Sequence, residues 1–331
     1  MVALRRLRDP WPDHRAERML GAVSLLIGVI VLVMIVFVAV HAWPTLEHNG
    51  LLGWLGPGGS VEQQFARMQQ TGVNPPASAY HLTAWSLLYG TALTTTISVA
   101  LGIVISVFSA IFIVELAPRF LRELAIPVIR LLAAVPSVIY GLIGVLVLVP
   151  FVGNHLVTSS EKTSVQNSVL LTGAGLLVTV VILTVMITPI MVALICEALA
   201  AVPSSWTEGA VALGLNPLRA ILAVSVRAIR PAIVAAAVLA TARALGEAVM
   251  ISMVSGSRAF TPNLAHGPLV FLYEPLRTFA SAIVDFHEGI NAPALSSSLY
   301  AFALLLLFSA FVLSLAGYLI KLPLRRYQTR G

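Results

Sequence analysis

Two ionisable side chains stand in a stretch that is otherwise free of charge. Arg243 and Glu247 are four residues apart within Pro231 to Ser255, a run dominated by Ala, Val, Ile, Leu and Met. Read as a helix, this run puts Arg243 near its middle and both side chains on one face. A charge at the centre of a bilayer costs about 2.5–3.5 kcal/mol on insertion scales, so the pair must face protein or water rather than lipid. A guanidinium presents a planar fork that matches phosphate or carboxylate oxygens in two parallel hydrogen bonds. Arg243 is therefore read as a contact for a passing anion, with Glu247 holding it in place and moderating its pull. A buried ion pair that merely pins helices together fits the same residues. The small residues Ala236, Ala240, Ala244 and Gly246 leave room for close helix approach or for a pathway.

Such a pair needs membrane-spanning elements to hold it, and the composition supplies them. The 331 residues are 58% hydrophobic and only 10% charged, with a mean hydropathy of +0.94. Soluble domains carry roughly 25% charged residues, so most of this surface faces lipid. Uncharged or nearly uncharged stretches predict six spans, near Met19–Ala42, Ala84–Val114, Arg130–Val152, Ser168–Ile195, Pro231–Ser255 and Ser296–Ile320. The fold class is all-α, polytopic. The formal net charge of +6 follows from 20 Lys+Arg against 14 Asp+Glu. These basic residues sit beside apolar runs rather than on one solvated face, which argues against nucleic acid. Sorted by alternate sides, fifteen fall on one side and four on the other, with Arg243 inside span five. This bias predicts that both termini are cytoplasmic. The first apolar run has 28 uncharged residues between Arg18 and Glu47, too long for a signal-peptide core of about 7–15 residues, so it reads as an uncleaved span.

The expected organisation is a cytoplasmic segment 1–18, a first span 19–42, an extracytoplasmic loop 43–83, a transmembrane domain 84–320 and a cytoplasmic tail 321–331. The Gly/Pro-rich first loop reads as ordered or semi-flexible, and the apolar stretch Leu269–Val284 as lying along the membrane interface. Plain connectors are the preferred reading of both. Pro136 should kink span three, while Ser137 and Gly141 form a small-residue pair that admits a neighbour. Ser137 and Tyr140 are candidates to line a route with hydroxyls, with packing the favoured alternative.

Several chemistries lack their residues. No Gly-x-x-x-x-Gly-Lys-Ser/Thr occurs, so the chain holds no P-loop for ATP. The seven histidines never fall at the i, i+3 or i, i+4 spacing of helical metal ligands. The single cysteine, Cys196, excludes an intrachain disulfide. An intramembrane enzyme is disfavoured by the lack of paired acids or a histidine cluster within spans. An ion-coupled secondary transporter would also carry an intramembrane charge pair, but has no need of the feature that follows span four.

That feature runs from Glu197 to Pro217. Ser205 and Glu208 have capping-box spacing, and Gly214 with Asn216-Pro217 supplies a stop. A short cytoplasmic helix near residues 205–215 is expected, with Trp206, Ala210 and Leu213 at helical spacing. It is either a connector tucked against the bundle or a knob that docks into a partner domain.

Glu208-Gly209-Ala210-x-x-x-Gly214, followed after nine residues by Val224-x-Val226, resembles the EAA loop of ABC importer permeases, Glu-Ala-Ala-x-x-x-Gly-x9-Ile-x-Leu-Pro. Gly209 replaces the first Ala, and Arg227 stands where Pro is usual. The blocks Leu88–Ile97, Glu115–Pro118, Ala133–Leu142 and Ala242–Glu247 are similar to the PstC-type permeases of phosphate importers. The resemblance implies a coupling helix carrying Trp206, Glu208, Ala210 and Gly214 and seated in an ATPase subunit. It also implies a PstA-type permease partner, a PstB-type ATPase dimer and a PstS-type phosphate-binding protein, at a bacterial inner membrane. ATP and Mg would sit on the ATPase, with no cofactor in this chain, and the matching Arg and Glu of span five are implicated in phosphate passage. Sulfate and molybdate stay open as cargo, because an Arg–Glu pair does not choose among oxyanions.

Overall fold

The computed structural model describes residues 14–72, 74–165 and 169–328, and every regular element among them is helical. Arg5, Arg6, Arg8, Arg330 and the expected start of span four at Ser168 lie outside the described residues. Helical runs long and apolar enough to cross a membrane are Arg18–Asn49, Ala77–Leu116, Ser137–Leu156, Leu176–Ala200 and Pro293–Leu319. The pair Pro217–Ala228 and Arg230–Leu245, bent by 63°, makes a sixth crossing if the two count as one span.

The centre of the bundle is helix α3 (Trp85–Ile111) against a long helix at Leu176–Ala200. Lipid gives no hydrophobic drive for helices to associate, so contact rests on close packing and on interhelical hydrogen bonds. Both are present. Ser98 Oγ donates to the Val180 carbonyl at 3.3 Å, Thr184 Oγ1 to the Ser98 carbonyl at 3.4 Å and Ser106 Oγ to the Thr188 carbonyl at 3.3 Å. At Gly102 the helices are so close that a Cβ would stand 2.6 Å from Met191 Cε. Helix α1 (His14–Asn49) lies outside this core, its face from Met19 to Val36 exposed. It is tied to the last helix where the Thr45 amide and hydroxyl donate to Ser297 Oγ at 3.1 and 2.9 Å.

The first loop is an ordered lobe rather than a connector. Helix α2 (Val61–Gln70), capped by Ser60 Oγ accepting from the Gln63 amide, buries Val61, Phe65 and Met68 on one side. Phe65 and Trp54 meet Phe279, Phe286 and Phe302 in an aromatic cluster. The Leu269–Val284 stretch is also not interfacial. It folds inward, burying Val270, Phe271, Tyr273, Leu276, Phe279 and Ala282. Gly90 and Gly175 permit this: a Cβ at either would come within 2.4 Å of a carbonyl oxygen, of Arg277 and Tyr273 respectively. Turn residues within an apolar run gave that stretch a way to enter the bundle that hydropathy alone does not register.

Three spans differ from expectation. Before span three, α4 (Arg119–Ala133) is a separate helix, and the chain breaks at Ala134–Pro136 before α5 (Ser137–Ile143) begins with Pro136 as its cap. Pro136 therefore starts the span instead of kinking it. Span four is α6 (Leu176–Ala200), beginning eight residues later than expected because Gly173 takes φ +94° and the Leu176 amide is fixed by the Glu274 carbonyl at 3.0 Å. Helix α7 (Ser204–Ala212) follows, and span five is broken into α8 (Arg230–Leu245) and α9 (Val249–Val254). The inward-folded loop contributes α10 (Pro268–Tyr273) and α11 (Phe279–Asp285), and α12 (Pro293–Gln328) closes the chain. Five-residue π-helical turns interrupt the regular helix at Phe112–Leu116, Gly144–Leu148, Val152–Leu156 and Ile221–Ser225.

Candidate functional site

Arg243 lies in the last turn of α8, and Gly246 caps that helix. Glu247 then falls in the break before α9, so the expected helical i, i+4 face does not exist. Gly246, which has no Cβ and loses more backbone freedom in a helix than any other residue, stands where the run stops. Among the described residues no ion pair joins Arg243 to Glu247. Glu247 is 9% exposed and turns instead to α9, where Oε1 accepts the Met250 amide at 3.4 Å. A carboxylate over the first turn of a helix offsets its unpaired N–H groups.

The Arg243 guanidinium is left partly unmatched. Its Nε is buried and has no hydrogen-bond partner, whereas the residue as a whole is half-buried. A buried donor without an acceptor costs about 1–3 kcal/mol, more when charged. Tyr140 of α5 is within electrostatic reach of Arg243. Its hydroxyl donates to the Leu132 carbonyl at 3.0 Å, bridging the Ala134–Pro136 break, so its hydrogen goes to structure. Ser137 is half-buried, three residues earlier on the same helix. Gly141 brings α5 against α9, where a Cβ would stand 2.8 Å from Met253 Sδ and 3.1 Å from Met250 Cα. Arg243, Glu247 and Tyr140 are thus gathered around the span-five break. No group of three potential metal-ligating side chains occurs among the described residues.

The second expected feature, α7, stands clear of the bundle. None of its residues is buried, and Trp206 is 55% exposed and Leu213 86%. The capping box is absent: Pro203 caps the helix, with no side-chain hydrogen bond, and Ser205 lies inside the first turn. The fixed φ and missing N–H of proline start the helix earlier than the serine would. The stop is as expected. Gly214 takes φ +92°, its amide donates to Val211 O at 2.9 Å, and the Leu215 amide donates to Ala210 O at 3.2 Å, the paired bonds of a Schellman turn. A cleft of about 460 Å³ beside the helix is lined in part by Glu208, Val211, Ile221 and Glu115.

The sequence pattern described as binding-protein-dependent transport system inner membrane component matches residues 102–325. The chain belongs to this permease family. Its matched region takes in α7, α8, α9 and the whole site around Arg243. The permease is 32% identical over 281 residues to phosphate transport system permease protein PstC 1 of Mycobacterium tuberculosis, covering 82% of this chain and 80% of that one. It is 29% identical over 282 residues to a probable phosphate transport system permease protein PstC of Methanocaldococcus jannaschii, covering 84% and 83%. A probable ABC transporter permease protein, YqgH of Bacillus subtilis, is 40% identical over 137 residues, which span 41% of this chain and 40% of that one.

One cluster of the permease escaped the sequence reading. Arg277, only 6% exposed, donates from Nε to Asp285 Oδ2 at 3.0 Å and from Nη1 to Glu62 Oε1 at 3.5 Å. It also bonds the Ser257 carbonyl and lies 4.7 Å from the Phe286 ring centroid. Asp285 in turn takes a short hydrogen bond from Ser252 of α9. The available signal was a lone arginine in an apolar run with an acid eight residues later.

Proposed function

We infer that this permease forms half of the translocation pathway of an ATP-driven importer of inorganic phosphate. The observation that carries this reading is the half-buried Arg243 guanidinium, not ion-paired with Glu247, beside a break in span five. Its Nε is sealed within the fold, and the rest of the guanidinium offers the fork that a dianionic oxyanion takes in two bonds. Glu247 bonded to the Met250 amide leaves the arginine free for cargo while keeping a negative charge close by, which limits how tightly an anion is retained. The PstC relatives support phosphate as the cargo.

The remaining parts of the machine come from partners. The exposed α7, with Trp206, Glu208, Ala210 and Gly214, is the piece that seats in a PstB-type ATPase subunit, where ATP and Mg are held. A PstA-type permease supplies the other half of the pathway, and a PstS-type protein delivers phosphate at the outer face. Fifteen basic residues on one side argue for cytoplasmic termini in an inner membrane, with segment 1–18 and tail 321–331 on that side. Closure of the ATPase dimer would move α7 and, through the bent segment Pro217–Leu245, the arginine.

The test is phosphate uptake by vesicles holding the full complex. Arg243→Ala should abolish uptake while the assembled complex remains in the membrane. Retained uptake would make the arginine a packing residue, and uptake competed equally by sulfate or molybdate would move the cargo to another oxyanion.

A further inference from the structure

At the α4 end of the bundle, a cavity of about 210 Å³ opens between α4 and α6. Its walls are apolar at Val114, Ile126, Ile129 and Ala193, while Arg122, Arg130 and Glu197 stand at it. Neither arginine contributes to the site around Arg243. Arg130 meets Glu197 of α6 at 3.2 Å, but both side chains are more than 60% exposed, so the pair is weak and readily exchanged. Arg122 is half-buried and has no ion pair among the described residues. The opposite face of α4 presents Leu121, Leu124, Val128 and Leu131 to the surroundings at helical spacing. A helix with one apolar face outward and arginines toward its ends lies naturally at the boundary of headgroups and acyl chains. Apolar walls would strip the water from a bare inorganic ion without replacing its hydrogen bonds. A molecule with a phosphate at one end and hydrocarbon at the other satisfies both halves of the cavity.

We propose that this cavity binds an anionic phospholipid, with its phosphate on Arg122 and Arg130 and an acyl chain along Val114, Ile126, Ile129 and Ala193. Occupied in this way, the cavity fastens α4 to α6, the helix that leads into α7. The proposal rests on the membrane reading of the chain and is independent of the cargo.

The experiment uses the full importer complex in phosphatidylcholine nanodiscs, titrated with phosphatidylglycerol and followed by native mass spectrometry. The unmodified complex should retain one more phosphatidylglycerol per copy of this chain than Arg122→Gln does. The variant's half-saturation should move to about fivefold higher lipid, as expected for one arginine near an anionic headgroup. Ala193→Phe keeps both arginines but fills the apolar wall, and it should lose the same lipid, which decides the matter if Arg122→Gln fails to assemble. Equal retention by the unmodified complex and a correctly assembled variant overturns the proposal. Displacement of the lipid by inorganic phosphate also overturns it, since the site would then belong to the free oxyanion. Arg243→Ala should retain the lipid normally, so loss of transport and loss of this site are separately visible.

Discussion

Two arginines within the apolar part of the molecule illustrate opposite uses of the same side chain. Arg277 is satisfied on every side, by Asp285, Glu62, the Ser257 carbonyl and the face of Phe286. Removing one member of a buried charge pair strands the other, at a cost of about 3–5 kcal/mol. Arg277→Met should therefore lower the thermal unfolding midpoint of the purified complex sharply, because Asp285 keeps only the Ser252 hydroxyl to offset its charge. Arg243 behaves otherwise, since its Nε has nothing to lose. Arg243→Ala should leave that midpoint unchanged or raise it, removing a buried donor that costs about 1–3 kcal/mol, even as uptake disappears. A sharp fall for Arg243→Ala would mean that it holds the fold together.

At the scale of single elements, α7 is the clearest case for substitution. Gly214 needs φ +92°, which proline cannot adopt, and its amide closes the Schellman turn. Gly214→Pro should weaken association with the ATPase while membrane insertion stays normal, as read by co-purification. Gly209 is different: a Cβ there would meet nothing within 4 Å. Gly209→Ala restores the alanine of the EAA pattern and should stabilise the exposed helix by about 0.5–1 kcal/mol without weakening association. These elements also show where a sequence can be read. The apolar runs and the stop at Gly214 were legible, because length, composition and a glycine each act locally. The start of α7 was not, because Pro203 outranks Ser205 as the residue that sets it. The break after Leu245 was hidden for a related reason: Gly246 in an alanine-rich run looks like a packing residue until the next helix is seen to start at Val249. The Arg277 cluster draws Glu62 from 215 positions away, beyond any local pattern.

The molecule as a whole has a membrane bundle and a lobe within residues 50–83, joined by an aromatic cluster and by the contact of Glu62 with Arg277. Phe65 is fully buried there against Phe286 and Phe302. Phe65→Ala should cost about 3–5 kcal/mol and open residues 50–83 to protease while the bundle persists. Lobe and bundle cleaved together would show a single cooperative unit.

Between the helix that stands free and the arginine at the break lies the π turn Ile221–Ser225. A π turn holds one residue more than an α-helix requires. Deleting one residue there would rewind the segment as plain α-helix, in which four residues cover nearly the rotation and rise that five cover in the wider turn. Both ends of the lever would keep their phase, so the surplus residue is slack in the rod and no part of its pitch. Vesicles of the full complex carrying that deletion should keep their phosphate uptake, whereas loss of one residue from the regular helix Arg230–Leu245, which turns what precedes it by about 100°, should abolish it.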